Sequence, residues 1–170
     1  MSPDRVLLTV GTLLLVVLLY ALMAKGWRGR KRRQGDLPPP PAAPEVPGQV
    51  LVGAVPGLFV GTTFSDDWLD RVAVHELAHR SAGWLEVTSD GVIVEREGLN
   101  ELYLPYASLD GAELGDALAG KVIGRDGLLL LHWRLGGRLL TSGFRADDHG
   151  RHTALVEAIG AQLSHHRAIS

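Results

Sequence analysis

From Val6 to Ala24 the chain reads VLLTVGTLLLVVLLYALMA, a run without a single charge. Wound as a helix at about 1.5 Å per residue it reaches roughly 28 Å, enough to cross the apolar core of a bilayer. The pattern then stops. Gly35 to Gly48, GDLPPPPAAPEVPG, holds six of the nine prolines. Proline fixes φ and offers no N–H, so this stretch is expected to be polyproline II, a semi-rigid spacer of roughly 40 Å at about 3.1 Å per residue.

Beyond the spacer the period alternates between two and 3.6. Val50–Val55 is apolar but interrupted by Gly53 and by Pro56-Gly57, and Leu58–Thr63 reads as the first strand. Ser65-Asp66-Asp67 has the chemistry of a helix start, with a capping residue followed by acids. Trp68, Leu69, Val72, Ala73, Leu77 and Ala78 follow at helical spacing, so a helix is predicted to about His79. After Gly83 the period becomes two. Trp84–Thr88, Ser89-Asp90-Gly91 and Val92–Arg96 predict a hairpin in which Asp-Gly supplies the positive φ of a tight turn. Leu102–Tyr106 is a short strand that Pro105 confines to an edge or bulge. Leu109–Leu114 is another strand, and Gly115–Gly120 a loop. Leu128–Leu135, Gly136-Gly137 and Arg138–Ser142 predict a second hairpin. Asp147–Ser164 closes the chain as an amphipathic helix on Leu155, Val156, Ala158, Ile159 and Leu163, despite Gly160. His165-His166-Arg167 suits its carboxyl end. The expected fold is one amino-terminal membrane helix followed by a mainly-β domain, a bent antiparallel sheet with a helix over one open end. The divisions are 6–24 for the span, 25–48 for a basic and proline-rich linker, and 50–166 for the domain.

Composition narrows the function. The 170 residues include no cysteine, which excludes disulfides, thiolate metal sites and cysteine nucleophiles, and suits a reducing compartment. The net charge of −2 conceals an asymmetry: seven of the 17 basic residues precede position 34. The domain alone carries about −6, which argues against nucleic acid as a partner.

The basic residues follow the span: Lys25, Arg28, Arg30, Lys31, Arg32 and Arg33, with Trp27 among them. Only Arg5 and the terminus stand before it, beside Asp4. The positive-inside rule therefore predicts a plasma-membrane protein with its amino end outside and its domain in the cytoplasm. A cleaved signal peptide is the competing reading. It would need a stronger basic start, a shorter apolar run, and small residues where the basic block stands. The block itself is expected to touch the membrane surface through Lys25, Trp27, Arg28, Arg30, Lys31, Arg32 and Arg33. It serves as an orientation signal and as a contact for anionic lipid headgroups, at about 1 kcal/mol per basic residue. The prolines lack the flanking basic residue of an SH3-type ligand.

The order of strands and helices resembles the pleckstrin-homology-like barrel. The wording of Phe59–Thr63, Asp67–Val72, His75, Arg80-Ser81, Ala119–Val122, Leu131–Leu135 and Thr141–Arg145 is similar to small actinobacterial membrane proteins with one span and a cytoplasmic domain of this type. The resemblance covers roughly positions 58 to 160. It implies an antiparallel barrel with an excursion helix after the first strand and a carboxyl-terminal capping helix. It implies no defined activity. The label of transporter or export protein attached to some members fits poorly, because one span cannot form a permeation path alone.

One motif has a mechanism. His75-Glu76-Leu77-Ala78-His79 matches HExxH, in which two histidines on one helical face hold zinc and the glutamate acts as base. A catalytic zinc also needs a third ligand. Glu95, Glu97 and Glu101 stand at a plausible separation but on a hairpin and its exit, and Glu86 replaces the histidine a metzincin would show. The plainer reading is an amphipathic helix with no metal, no cofactor and no catalytic residue. His132 reads as a strand residue; His149, His152, His165 and His166 as polar positions around the last helix; Asp66-Asp67 and Asp147-Asp148 as helix-start acids. Gly120-Lys121 lacks the spacing of a phosphate loop. Trp68, Trp84 and Trp133 read as core or core edge, and an exposed tryptophan would mark an interface. Lys121, Arg125, Arg134 and Arg138 form a candidate basic patch.

The chain is therefore expected to be a membrane-anchored binding or scaffold module for a protein partner. The alternatives are a zinc peptidase on His75, Glu76 and His79, and an accessory subunit of a transport or envelope complex. Gly11 alone gives the span no small-residue dimer face.

Overall fold

The computed structural model describes residues 3–118, 121–122 and 127–169, which fall into two compact units, Met1–Gly35 and Asp36–Ser170. The first unit is helix α1, Pro3–Arg33. Its window Leu8–Gly26 has a mean hydropathy of 2.1 and is 0% buried.

In the second unit the strands are β1 (Val50–Phe64), β2 (Asp67–Arg71), β3 (Ser81–Thr88), β4 (Gly91–Arg96), β5 (Leu102–Pro105), β6 (Leu109–Gly115), β7 (Ala117–Leu118), β8 (Lys121–Val122), β9 (Leu128–Leu135) and β10 (Arg138–Ala146). Helix α2 is Arg151–Ile169. The main sheet runs β5-β4-β3-β1-β10-β9-β6 and is antiparallel throughout, with β2 paired to β1. The path is open, with β5 and β6 at its ends. Pro105, which has no N–H to give a ladder, accordingly stands on an edge strand.

β1 is one fifteen-residue strand, not the interrupted segment its glycines and prolines suggest. Its first part pairs with β3 and its last part with β10, the two sets overlapping from Gly57 to Phe59. Register shifts at Val50/Val52, Val52/Val55 and Phe59/Gly61 let one strand serve both halves, because each bulge adds bend and twist. Phe59, Leu85, Val94, Leu104, Leu131, Trp133, Leu140 and Phe144 form the core from the inner faces, and Leu155, Ile159 and Leu163 of α2 close it.

The two hairpins form as expected, by different chemistry. Gly136 and Gly137 have φ of 57° and 78°, the pair of left-handed positions a two-residue turn requires. The Asp90-Gly91 pair has no positive φ. Instead Thr88 Oγ1 accepts from the N–H groups of Asp90 and Gly91 at 3.3 and 3.2 Å and donates to Gly91 O at 2.9 Å. Gly91 is needed for space, since a Cβ there would stand 2.5 Å from the carbonyl oxygen of Leu104.

The helix expected from Asp67 to His79 is not there. Asp67–Arg71 is β2 and Val74–Ala78 is a bend and turn. Three of the apolar residues that suggested a helical face are buried all the same, Val72, Ala73 and Leu77 being at most 2% exposed, whereas Leu69 is 58% exposed. They are buried because their backbone bonds to β1. Val72 N donates to Thr62 O at 2.9 Å and Thr62 N donates to Leu77 O at 2.8 Å. Asp67 caps a turn, not a helix, its Oδ1 accepting from Leu69 N at 3.0 Å.

Leu37 and Pro38 pack with the domain. Leu37 is 6% exposed and belongs to the core cluster, and a Cβ on Gly136 would stand 2.5 Å from Pro38 Cδ. The start of the stretch read as a semi-rigid spacer thus contributes to the fold, and Gln34–Asp36 is all that separates α1 from the first core residue.

Candidate functional site

The histidines and glutamate of the HExxH match lie on the Val74–Ala78 turn and the residue after it. His75 and Glu76 both adopt left-handed backbone, with φ of 54° and 60°. For residues with a Cβ that conformation costs about 1–2 kcal/mol each. Surrounding contacts impose it. His75 Nε2 donates to Leu37 O at 2.7 Å, and Glu76 Oε2 accepts from the backbone N and side-chain Nδ2 of Asn100 at 3.3 and 3.2 Å. Without a helix, positions 75 and 79 do not share a face by the i, i+4 rule, and the carboxylate meant as a base is engaged by Asn100. No group of three metal-ligating side chains exists among the described residues. The HExxH residues thus lie on a turn and not on the helix that the zinc-peptidase reading requires.

Arg96, which sequence reasoning passed over, organises this end of the sheet. It is 3% exposed. Its Nε donates to Asn100 O at 2.9 Å, its Nη2 to the same oxygen at 2.5 Å, and its Nη1 to Glu76 O at 3.1 Å. The guanidinium also lies 5.2 Å from the Phe59 ring centroid. Burial pushes its pKa down and the charge of Glu76 opposes that shift. The only earlier signal was an arginine at the end of a strand whose neighbours are apolar. Pro39, Pro40, Pro41 and Ala42 border the same region, with His75, Glu76, Arg96, Asn100 and Glu101, around a cleft of about 340 Å³.

A second cleft, about 300 Å³, lies between Tyr106–Asp110 and the carboxyl end of α2. Tyr106 donates to Thr88 O at 2.8 Å and meets the His166 ring edge-on at 6.0 Å. Burial, then Tyr103 and Asp90, push its phenol up to about 12, so it remains a neutral donor.

The other candidates are placed as follows. His132 joins a row across the sheet: its Nδ1 is 3.0 Å from Thr141 Oγ1 and its Nε2 3.0 Å from Glu113 Oε1, while Ser65 Oγ is 2.7 Å from Thr141 Oγ1. His152 is 1% exposed and accepts from Ala146 N at 2.9 Å. His149 meets the His152 ring edge-on at 5.6 Å. Arg134 is paired with Asp110 at 2.9 Å and Arg138 stacks 3.9 Å from the Phe64 ring centroid. Arg125 and the Ala119-Gly120 pair lie outside the described residues, and Lys121 is the first residue of β8. Trp133 is fully buried with its indole N–H on Ser142 Oγ at 2.9 Å, whereas Trp84 is 43% exposed. Lys25, Trp27, Arg28, Arg30, Lys31, Arg32 and Arg33 all fall within α1.

Comparison with known proteins adds the family. No curated protein matches the sequence. Among solved structures, a chain of "The 8S snRNP Assembly Intermediate" is similar over 74% of this chain and 89% of its own length, at 7% identity and a TM-score of 0.47. A family model described as bacterial PH domain-like matches residues 37–160, beginning at the first residue of the core and ending in α2. The chain belongs to the bacterial PH domain-like family.

Proposed function

We propose that this protein is a single-pass membrane adaptor, in which α1 is a retained anchor and the PH-like domain is a cytoplasmic binding module for a protein partner. The observation that carries the reading is the surface of α1. Leu13, Leu14, Leu15, Val17, Leu18, Leu19 and Leu22 are all more than half exposed, in a nineteen-residue window with hydropathy 2.1. Apolar surface of that extent is covered by lipid, since water-facing patches on soluble chains are far smaller. The basic residues from Lys25 to Arg33 orient the anchor and meet anionic headgroups. The family match supports a binding module, and the acidic domain favours protein over lipid or nucleic acid.

The absence of native cysteine makes the test clean. Single Ser2→Cys and Ser164→Cys variants are exposed to a membrane-impermeant maleimide in intact cells. Labelling of the Ser2→Cys variant alone is expected; labelling of the Ser164→Cys variant overturns the orientation, and release of the chain by alkaline carbonate overturns the anchor. Photo-crosslinking of the full chain in its native membranes tests the adaptor. It should yield one defined adduct that is lost when 36–170 is deleted; absence of any adduct removes the binding role.

A further inference from the structure

Trp84 stands on the outer face of β3. Its strand neighbours Leu85 and Val87 are fully buried on the inner face, so alternation puts Ala82, Trp84 and Glu86 together outside. Register supplies the neighbours. Trp84 is opposite Pro56 of β1 and Glu95 of β4; Ala82 is opposite Leu58; Glu86 is opposite Ile93. Directly opposed side chains in an antiparallel sheet have Cβ atoms about 5 Å apart. The result is a strip of Leu58, Pro56, Trp84 and Ile93 with two carboxylates beside the indole.

The neighbouring half of this outer face is treated differently by the chain. There Leu118 of β7 covers Gly143, and Val60, Leu118 and Leu128 make a small second core. Trp84 keeps 43% of its surface exposed. Among the described residues, neither Glu86 nor Glu95 has a hydrogen bond or ion pair through its side chain.

We propose that this face docks a protein segment presenting an arginine or lysine between apolar residues. The cation lies on the Trp84 indole between Glu86 and Glu95, and its apolar neighbours cover Pro56, Leu58 and Ile93. Three points select this occupant. A wholly apolar partner would bury two carboxylates without counter-charges, which is unfavourable. A cation on an indole face gains from the ring quadrupole, and a nearby carboxylate adds charge-assisted hydrogen bonds. The domain carries about −6 and repels acidic partners. A choline headgroup would fill the indole face but has no N–H to give Glu86 and Glu95. The inference rests on the adaptor reading and gives the chemistry of its partner.

The test uses the full chain in dodecyl maltoside with its four tryptophans replaced by 5-fluorotryptophan. Trp84→Phe identifies the Trp84 fluorine resonance, and buried Trp133 reports that each variant is folded. The probes are acetyl-Leu-Arg-Leu-Arg-Leu-amide, its glutamate counterpart, and phosphocholine. A saturable shift of the Trp84 resonance with the arginine peptide alone is expected, with Kd raised about ten-fold or more in Glu86→Gln/Glu95→Gln. No shift at millimolar arginine peptide, an equal shift with the glutamate peptide, or unchanged affinity in the double variant overturns the proposal. A shift with phosphocholine alone overturns it in favour of a lipid headgroup. A crosslinked partner with a silent Trp84 resonance removes this surface and leaves the adaptor. A responsive Trp84 without any crosslinked partner does the reverse.

Discussion

His152, in the first turn of α2, ties that helix to the end of β10. Its ring is 1% exposed, Nε2 accepts the N–H of Ala146 at 2.9 Å, and Nδ1 has no partner among the described residues. An acceptor at Nε2 puts the proton of the neutral ring on Nδ1. Burial, then the nearby His149, push its pKa down, and Asp148 opposes them. The unfolded chain therefore takes up the proton more readily than the folded one. The stability this group contributes is complete above the unfolded value of about 6.5 and is lost as pH falls below it. The urea midpoint is expected to drop between pH 7.5 and pH 5.5, and to drop less in His152→Leu. That variant is less stable at both values by about 1–3 kcal/mol, since Ala146 N–H is left unpaired. The two histidines of the HExxH match separate in the same assay. His75→Ala loses the bond to Leu37 O and is expected to cost about 1 kcal/mol. His79→Ala makes no such loss and stays within about 0.5 kcal/mol. A zinc pair would instead make both variants equal and zinc-dependent.

Among the elements, the Val72–Arg80 connection shows where sequence patterning stops. Its apolar spacing fits a helix, but β1 supplies its hydrogen bonds, Arg71 holds it by donating to Val60 O and Ala78 O at 3.3 and 3.0 Å, and Arg96 holds Glu76 O. Periodicity marked Val72 and Leu77 as core but also Leu69, which is 58% exposed, and it does not report which backbone pairs them, so the turn was not legible. The hairpins and α2 were legible because their determinants are local: two glycines at Gly136-Gly137, and an i, i+3, i+4 stripe ending in Leu163. Even there the Asp90-Gly91 turn came right for a different reason, the Thr88 hydroxyl. Arg96 itself was invisible, because the two carbonyl oxygens it holds, Asn100 O and Glu76 O, come from separate loops. Arg96→Met is expected to take both Arg96 donors from Asn100 O and to leave Glu76 O with the N–H of His79, on the order of 3 kcal/mol. Limited proteolysis should then cut within residues 72–80 faster, while the far-ultraviolet circular dichroism keeps its β signal.

For the molecule as a whole, the decisive boundary is where the folded domain begins. A proline-rich sequence says that neither helix nor ladder forms, and it is silent on packing, so Leu37 among the prolines read as part of a spacer. In the fold Leu37 is 6% exposed in the core cluster, Leu37 O holds His75, and Pro38 rests on Gly136. The same residue opens the family match, which spans 37–160. Three independent contacts in two residues mean that the segment is ordered by the domain and adds to its stability. Truncating a buried leucine costs about 2–5 kcal/mol, because the lost transfer energy is joined by a cavity. A chain starting at Asp36 should therefore unfold with one cooperative transition at a midpoint that Leu37→Ala lowers by that amount. A chain starting at Gly48 should be less stable still, having lost the leucine and the acceptor of His75 together. A spacer that makes no contact with the domain gives the opposite outcome, three chains with one midpoint, and urea titration followed by Trp133 emission decides between them.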